Sequence, residues 1–298
     1  MRFLTTLALL PFTLLGLNGL SAESWVRGSA VALKASGGVE ITVPSDGVTY
    51  ESFDQPRYFP GIFSCRAQSR GKVLIRTSNQ MVLAFQGEGF FAVERFEGLS
   101  TSDQWDEDGM EETRSRMILN LRRGELMIDS RELSEASRLV LETPFGRIAG
   151  VEALLLVRIE FDQRSGIYDF TVSTFEGIVR LADLRQESYT VYPGQRISGA
   201  GNYEAPAVEI GKQTDEIREK FEDFLKSVEE LDATQVDQSE LQSHTRALQD
   251  SENVSTVSPA SGEKRRRPRV IEFAPLAEPV TPFRGELKPS SDDQADLF

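Results

Sequence analysis

The feature that most constrains this chain is a run of segments between residues 114 and 198 in which apolar and polar residues alternate. A period of two is typical of half-buried β-strands, because successive side chains point to opposite faces of a sheet. From Val151 to Phe161 every odd position is apolar, and Leu154 and Leu156 add apolar residues on the other face. This segment is therefore predicted to be the central strand, covered on both sides.

Short clusters of glycine and polar residues predict the turns between the segments. Arg123-Gly124 is predicted to turn the chain between two strands. Nearer the amino terminus, β-rich runs are predicted at 29–36, 39–43, 72–77, 80–85 and 89–96. The turn formers between these runs are Gly37-Gly38, Pro44 to Gly47, Ser69 to Gly71, Ser78-Asn79 and Gly87 to Gly89. Many short strands without a helical period predict an all-β sandwich, roll or β-helix-like stack.

The order of motifs in this region resembles the FecR-type domain of bacterial envelope proteins, most clearly over about residues 112–198 and more weakly over 26–96. The matching residues are Leu121, Arg123, Gly124, Glu125 and Leu126; Thr143, Pro144, Gly146, Gly150 and Val151; and Thr171, Val172, Glu176, Gly177, Val179, Pro193, Gly194 and Gln195. The chain departs from the family pattern at Glu152-Ala153 and Leu154, where a Gly-Thr pair and an aromatic residue are usual. The resemblance implies a FecR-like β-sandwich or β-roll, expected here over residues 23–203.

The amino-terminal segment, residues 1–22, has the three parts of a secretory signal peptide. Arg2 supplies the positive end, an apolar stretch follows from Phe3 to Leu17, and Leu20-Ser21-Ala22 forms a small-residue cleavage site. The expected location is therefore the periplasm or the cell surface and extracellular space. No later stretch is apolar enough to suggest a membrane span after cleavage.

The composition changes after Tyr203, and residues 204–251 are predicted to be a helical segment. From Gln213 to Leu231 the spacing of the apolar residues places them on one stripe of an α-helix, opposite a face of Glu and Lys. This helix is expected to pack on the β domain, with binding to a partner as the alternative.

Residues 252–298 are rich in Pro, Ser and charge, which predicts a disordered tail. The basic cluster of this tail, at 264–269, is interpreted as a solvated charge run.

Few residues offer catalytic or metal chemistry. The chain has one histidine, His244, and one cysteine, Cys65, so neither a nucleophilic triad nor a His/Cys metal site is expected. Cys65 is interpreted as a buried apolar residue. The acidic segment 103–112 could attract calcium, but its spacing fails the EF-hand pattern, so it is interpreted as a solvated loop. No catalytic, cofactor-binding or metal-binding residue is predicted, and no cofactor.

The formal net charge of −14 argues against nucleic-acid binding, which requires Lys and Arg to neutralise phosphates.

The best-known FecR-type proteins relay the state of an outer-membrane receptor to a sigma factor, and the resemblance therefore implies sensing or partner binding. Those regulators begin with a cytoplasmic helical domain, whereas this chain begins with the signal-like segment. The expected function is a non-enzymatic binding, sensing or scaffold module whose partner is an envelope protein or cell-surface component, in an oligomeric state left open. The alternative is a carbohydrate-binding or carbohydrate-active β domain, with paired carboxylates near Trp25, Trp105 or tyrosines.

Overall fold

A computed structural model of the chain describes residues 24–45, 47–100, 114–150, 152–201, 207–233 and 241. Within these ranges sixteen strands form one continuous hydrogen-bonded sheet, followed by one long α-helix. The strands are β1 Ser24–Arg27, β2 Ser29–Val43, β3 Val48–Phe53, β4 Arg57–Pro60, β5 Phe63–Ala67, β6 Lys72–Thr77, β7 Val82–Ser100, β8 Ser115–Asp129, β9 Arg138–Thr143, β10 Gly146–Ala149, β11 Leu154–Asp162, β12 Ile167–Glu176, β13 Val179–Asp183, β14 Ser188–Val191, β15 Gln195–Gly201 and β16 Ala207–Lys212. The helix, α1, is Asp215–Ala233. The all-β prediction is confirmed.

Three strands are much longer than the sequence pattern predicts: β2 and β8 have 15 residues each and β7 has 19. Three of the predicted turns lie inside them, at Gly37-Gly38, Gly87 to Gly89 and Arg123-Gly124. The prediction of turns at these sites is wrong, because the pairing register shifts there and the strand continues as a β-bulge.

Gly124 shows why glycine is required at such a bulge. Its φ of 105° is unfavourable for other residues, and a Cβ would lie 2.7 Å from the ring of Phe85. Gly89, on the neighbouring strand, faces the Arg123 carbonyl, which a Cβ would approach to 1.9 Å. The two backbones therefore pass too closely for a side chain.

The bulges carry β2, β7 and β8 from one layer of a sandwich into the other, as at the corners of orthogonally packed sheets. The first layer has the order β4, β2, β6, β7, β8, β11, β12, β15, β16 and uses residues 29–36, 82–86 and 124–129 of the long strands. The second layer has the order β3, β2, β5, β7, β8, β9, β10, β13, β14 and uses the other halves of the same strands. One sheet thus forms both layers.

The core lies between the two layers. A single buried cluster contains inward-facing residues from nearly every strand, and aromatic pairs join the layers across it. Phe85 of the first layer lies 4.9 Å from Phe91 of the second, and Phe170 stacks on Phe145 with the ring centroids 3.9 Å apart. The molecule is therefore a β-sandwich held by a continuous apolar interior.

The predicted central strand is β11, which lies between β8 and β12. Leu155, Val157 and Ile159 face the core, while Leu154 and Leu156 belong to a second apolar cluster on the opposite face. The prediction that both faces of this strand are covered is confirmed.

The β region extends beyond the predicted boundary at residue 203, because β16 pairs with β15 along the edge of the first layer.

Within the described ranges, no helix combines the length and the apolar character needed to span a bilayer.

Candidate functional site

Helix α1 covers the outer face of the first layer. In the apolar stripe of the helix, Ile217, Phe221 and Phe224 are buried, and Leu225 and Val228 are partly buried beside them. They pack on a row of residues from six adjacent strands: Leu33, Leu74, Val82, Ala84, Met127, Leu154, Leu156 and Phe175. A 19-residue helix is about 28 Å long, and six strands span about 24 Å, so one helix suffices for the row. The expectation that the stripe packs on its own β domain is confirmed.

An ion cluster fixes the helix at the bulge in β8. Glu125, which follows Gly124, is only 5% exposed and accepts hydrogen bonds from Lys220 Nζ at 2.6 Å and Arg158 Nε at 2.7 Å. Gln86 Nε2 also donates to Glu125. Arg158 Nη2 in turn donates to Glu216 Oε1 at 2.9 Å, which ties β8, β11 and α1 together.

The titration of this cluster follows from its geometry. Burial alone would raise the pKa of Glu125, but the hydrogen bonds from Lys220 and Arg158 and the charge of Arg158 hold that pKa below the ordinary value of 4.5. The pKa of Glu216 is also lowered, mainly by the hydrogen bond from Arg158. A general acid in glycoside hydrolysis needs a raised pKa, so Glu125 is unsuited to that role.

A polar cleft of about 600 Å³ lies beside the ion cluster. Side chains of both signs line it, among them Arg123, Glu160 and Asp162, and Phe161 is its one aromatic lining residue in the described part of the chain. Trp25 lies elsewhere, on β1 beside the second layer, and Trp105 lies outside the described residues. Glu160 and Asp169 lie opposite each other in this cleft, but no tryptophan or tyrosine is among its described lining residues.

The other residues considered from sequence do not gather into a site. Cys65 is fully buried, and burial raises the pKa of its thiol to about 12, which makes it inert as a nucleophile. Among the described residues, no three His, Cys, Asp or Glu side chains are placed to hold a metal ion. The acidic segment 103–112, His244 and the basic cluster 264–269 all lie outside the described residues.

The outer face of the second layer, unlike that of the first, carries exposed arginines. We call the outward-facing surface of β8, β9, β10, β13 and β14 the arginine face. Its five arginines are Arg116, Arg122, Arg138, Arg147 and Arg180, all exposed, and Glu142 is the one acidic residue on this face of the five strands. On the adjacent strand β7, Glu97 lies opposite Arg116 and Glu94 accepts a hydrogen bond from Asn120. The five strands therefore present a locally basic surface on a protein whose net charge is −14.

Several of these arginines lack a neutralising acid. Arg147 pairs with Glu142 at 3.0 Å, but Arg122, Arg138 and Arg180 have no carboxylate within ion-pair distance in the described ranges. Arg116 lies directly opposite Arg138 in the parallel pairing of β8 and β9. Like charges opposite each other on neighbouring strands destabilise a sheet, so an anionic group bound there would relieve a cost.

An apolar strip runs across the arginine face. Ile118, Val140 and Ala149 are neighbours in register on β8, β9 and β10, and Arg180 of β13 follows Ala149 in the same row. On the neighbouring edge, Arg116 stacks its guanidinium on the Trp25 ring, 3.9 Å from the centroid. The combination of aliphatic residues, an aromatic residue and arginines is typical of protein interfaces.

Sequence reasoning missed the arginine face. Each arginine occupies an outward position of an alternating strand, which on its own indicates only an exposed residue. Arg116 and Arg138 become neighbours through the parallel pairing of β8 with β9, and Arg180 joins them through β10. The available signal was the shared outward parity of arginines in consecutive strands.

The ion cluster makes a prediction about stability. Glu125→Gln should lower the free energy of unfolding at pH 7 by about 3 kcal/mol, because it leaves Arg158 and Lys220 without the buried carboxylate. Since the folded-state pKa of Glu125 lies below 4.5, its contribution is present above that pH and is lost as the pH falls through the folded value. Urea unfolding at pH 7, 5 and 3.5 should show the difference from wild type shrinking at the lowest pH. The exposed Glu219→Gln is the control, and an equal effect of the two variants would contradict the assignment.

Comparison with known proteins finds similar solved structures, among them two crystal structures that are each described as a "putative anti-sigma factor" from Parabacteroides distasonis ATCC 8503. Their TM-scores are 0.35 and 0.36, their sequence identities are 10% and 9%, and the matches cover 50% and 51% of this chain. The matched part spans 59% and 60% of the length of those structures, so the likeness is distant and partial. No family model and no curated protein matches the sequence.

Proposed function

We propose that this protein is an exported, non-enzymatic binding or scaffold module of the cell envelope, and that the arginine face is its binding surface. The observation that carries the proposal is the contrast between the two outer faces of the sandwich. The first layer is covered by α1, whereas the second layer presents arginines without neutralising acids around an apolar strip. Such a surface favours binding to an anionic partner.

A binding role fits the chemistry of the described residues better than catalysis does. The buried carboxylate, Glu125, is held ionised by Lys220 and Arg158 and serves to attach α1. The cysteine is buried and inert. The FecR-like motifs supply turns and bulges, as at Gly124, and these support a scaffold for presenting a surface.

The proposed export can be tested separately, through the position of the mature amino terminus. If residues 1–22 are removed as a signal peptide, the mature protein should begin at Glu23 and fractionate outside the cytoplasm. Amino-terminal sequencing of protein from fractionated cells measures this directly. An intact Met1 segment in the membrane fraction would contradict cleavage and would favour an anchored protein instead.

The binding proposal is tested by purifying the tagged protein from its native envelope in three forms. These are the wild type, a face variant carrying Arg138→Glu and Arg180→Glu, and a control carrying Arg57→Glu and Arg164→Glu. All four positions are exposed, and only the first two lie on the arginine face. Because exposed substitutions usually change stability by less than about 0.5 kcal/mol, the thermal midpoints should stay close together.

We expect at least one envelope component to be recovered severalfold less with the face variant and equally well with the control. Identical recovery from all three proteins would contradict the arginine face as the binding surface.

A further inference from the structure

We infer that the arginine face binds an acidic amphipathic helix of a partner protein. The inference rests on the proposed function and adds the class of partner. It follows from how this sandwich already binds its own helix, and from the charge and shape of the face that α1 leaves uncovered.

Helix α1 shows what kind of element an outer face of this sandwich accepts. Its sequence, DEIREKFEDFLKSVEELDA, contains eight acidic and three basic residues. Its apolar stripe lies across a row of aliphatic residues, while Glu216 beside the stripe pairs with Arg158 of the sheet. The helix is thus bound by apolar burial together with ion pairs beside the row, one from its Glu216 to Arg158 of the sheet and one from its Lys220 to the buried Glu125.

The arginine face has a similar arrangement of an aliphatic row beside arginines, and among the described residues no helix covers it. Ile118, Val140 and Ala149 form the aliphatic row. Arg116 and Arg138 lie on one side of it, and Arg147 lies on the other. The five strands span about 19 Å, which matches about 13 residues or three to four turns of helix.

The partner's charge follows from complementarity. Arg116 has Glu97 opposite it and Arg147 pairs with Glu142, but a basic or neutral helix would leave Arg138 and Arg180 without a carboxylate partner at the interface. Carboxylates at i and i+3 or i+4 beside an apolar stripe would reach the arginines on either side of the row. The arginines of the face would also repel a basic competitor.

A helix fits this surface better than an extended peptide or a polyanion does. A peptide strand binds by pairing with the unpaired backbone of a sheet edge. The backbone of β9 and β10, which carry the row, is paired on both sides, and the edge strand β14 lies two strands away from the row. A polyanion would use the arginines but would leave Ile118 and Val140 without an apolar contact.

Fluorescence anisotropy with labelled 19-residue peptides tests the inference on the full mature chain. The first peptide carries leucines at i, i+4, i+7 and i+11, glutamates at the positions that flank this stripe, and alanine and glutamine at the remaining positions, so that like charges do not unfold the helix. The second has lysines in place of the glutamates, and the third has the composition of the first in an order that forms no stripe. Polyglutamate serves as a simple polyanion.

We expect the acidic striped peptide to bind at least about tenfold more tightly than the other three probes. The Arg138→Glu and Arg180→Glu variant should weaken that binding about tenfold, as should Ala149→Glu, which places an acid on the row. The Arg57→Glu and Arg164→Glu control should bind like the wild type, and the melting temperature of each variant verifies its folding.

Equal binding of the acidic striped peptide, the peptide without a stripe and polyglutamate would overturn the inference in favour of a general anion surface. The absence of peptide binding would overturn it as well. In either case, loss of an envelope component from the face variant would leave the proposed function standing, so failure of one is distinguishable from failure of the other.

Discussion

Leu155→Asp is expected to unfold the β domain. Leu155 is 2% exposed on the core face of β11, between β8 and β12, and no basic side chain reaches that side of the strand among the described core residues. An unpaired carboxylate in that position must be buried or must protonate, and either outcome should cost more than about 4 kcal/mol. That is a large fraction of the total stability of a domain, which is typically about 5–15 kcal/mol.

Circular dichroism and thermal melting of the purified variant measure the result. Leu155→Met is the matched control, because a swap that conserves volume should cost less than about 1.5 kcal/mol. A Leu155→Asp protein that melts at the wild-type temperature would show that β11 is not the central strand.

Phe221→Ala is expected to detach α1 from the first layer. The Phe221 ring is fully buried, and it contacts Phe175 of β12 with a centroid separation of 5.3 Å. Truncating a buried phenylalanine costs about 3–5 kcal/mol. Because that loss removes the central contact of the stripe, the row beneath should become partly accessible and bind an apolar dye.

The neighbouring residue provides the control for this prediction. Glu222 is exposed on the same helix, so Glu222→Ala should leave both the stability and the dye binding close to those of the wild type. Chemical unfolding and dye fluorescence of the two variants give the comparison. Equal effects of Phe221→Ala and Glu222→Ala would contradict docking of α1 on its own sheet.

The sequence predicted the strands better than it predicted the connections between them. Period-two alternation located β6 at 72–77 and the central strand β11. Successive side chains of a strand point to opposite faces of the sheet, so the buried face can be recognised from neighbouring residues alone. Glycine clusters were ambiguous, since both a tight turn and a β-bulge use a positive φ. Gly47 N donates to Val43 O where β2 turns into its antiparallel neighbour β3, whereas Gly87 to Gly89 and Gly124 let two long strands bend as a pair.

The helix was predictable because its stripe is local, but its surroundings were not. The spacing of Ile217, Phe221 and Phe224 defines one face of a helix in any context. The row beneath it comes from six strands distant in sequence, and Glu125 meets Lys220 across 95 positions. The arginine face likewise depends on strand order, which one sequence does not specify.

We propose that a partner binds the outer face of the second layer, whereas α1 covers six strands of the outer face of the first. Hydroxyl-radical footprinting of the protein in its native envelope and after purification tests this claim most directly. Tyr192 and Ile178 are exposed at the end of the arginine face, and Ile167 is an exposed reference on the β11–β12 turn. Because a bound partner would cover Tyr192 and Ile178, we expect these two residues to be modified severalfold less in the envelope than in the purified protein, and Ile167 to be modified equally in both. Equal modification of all three residues in the two settings would contradict this proposal.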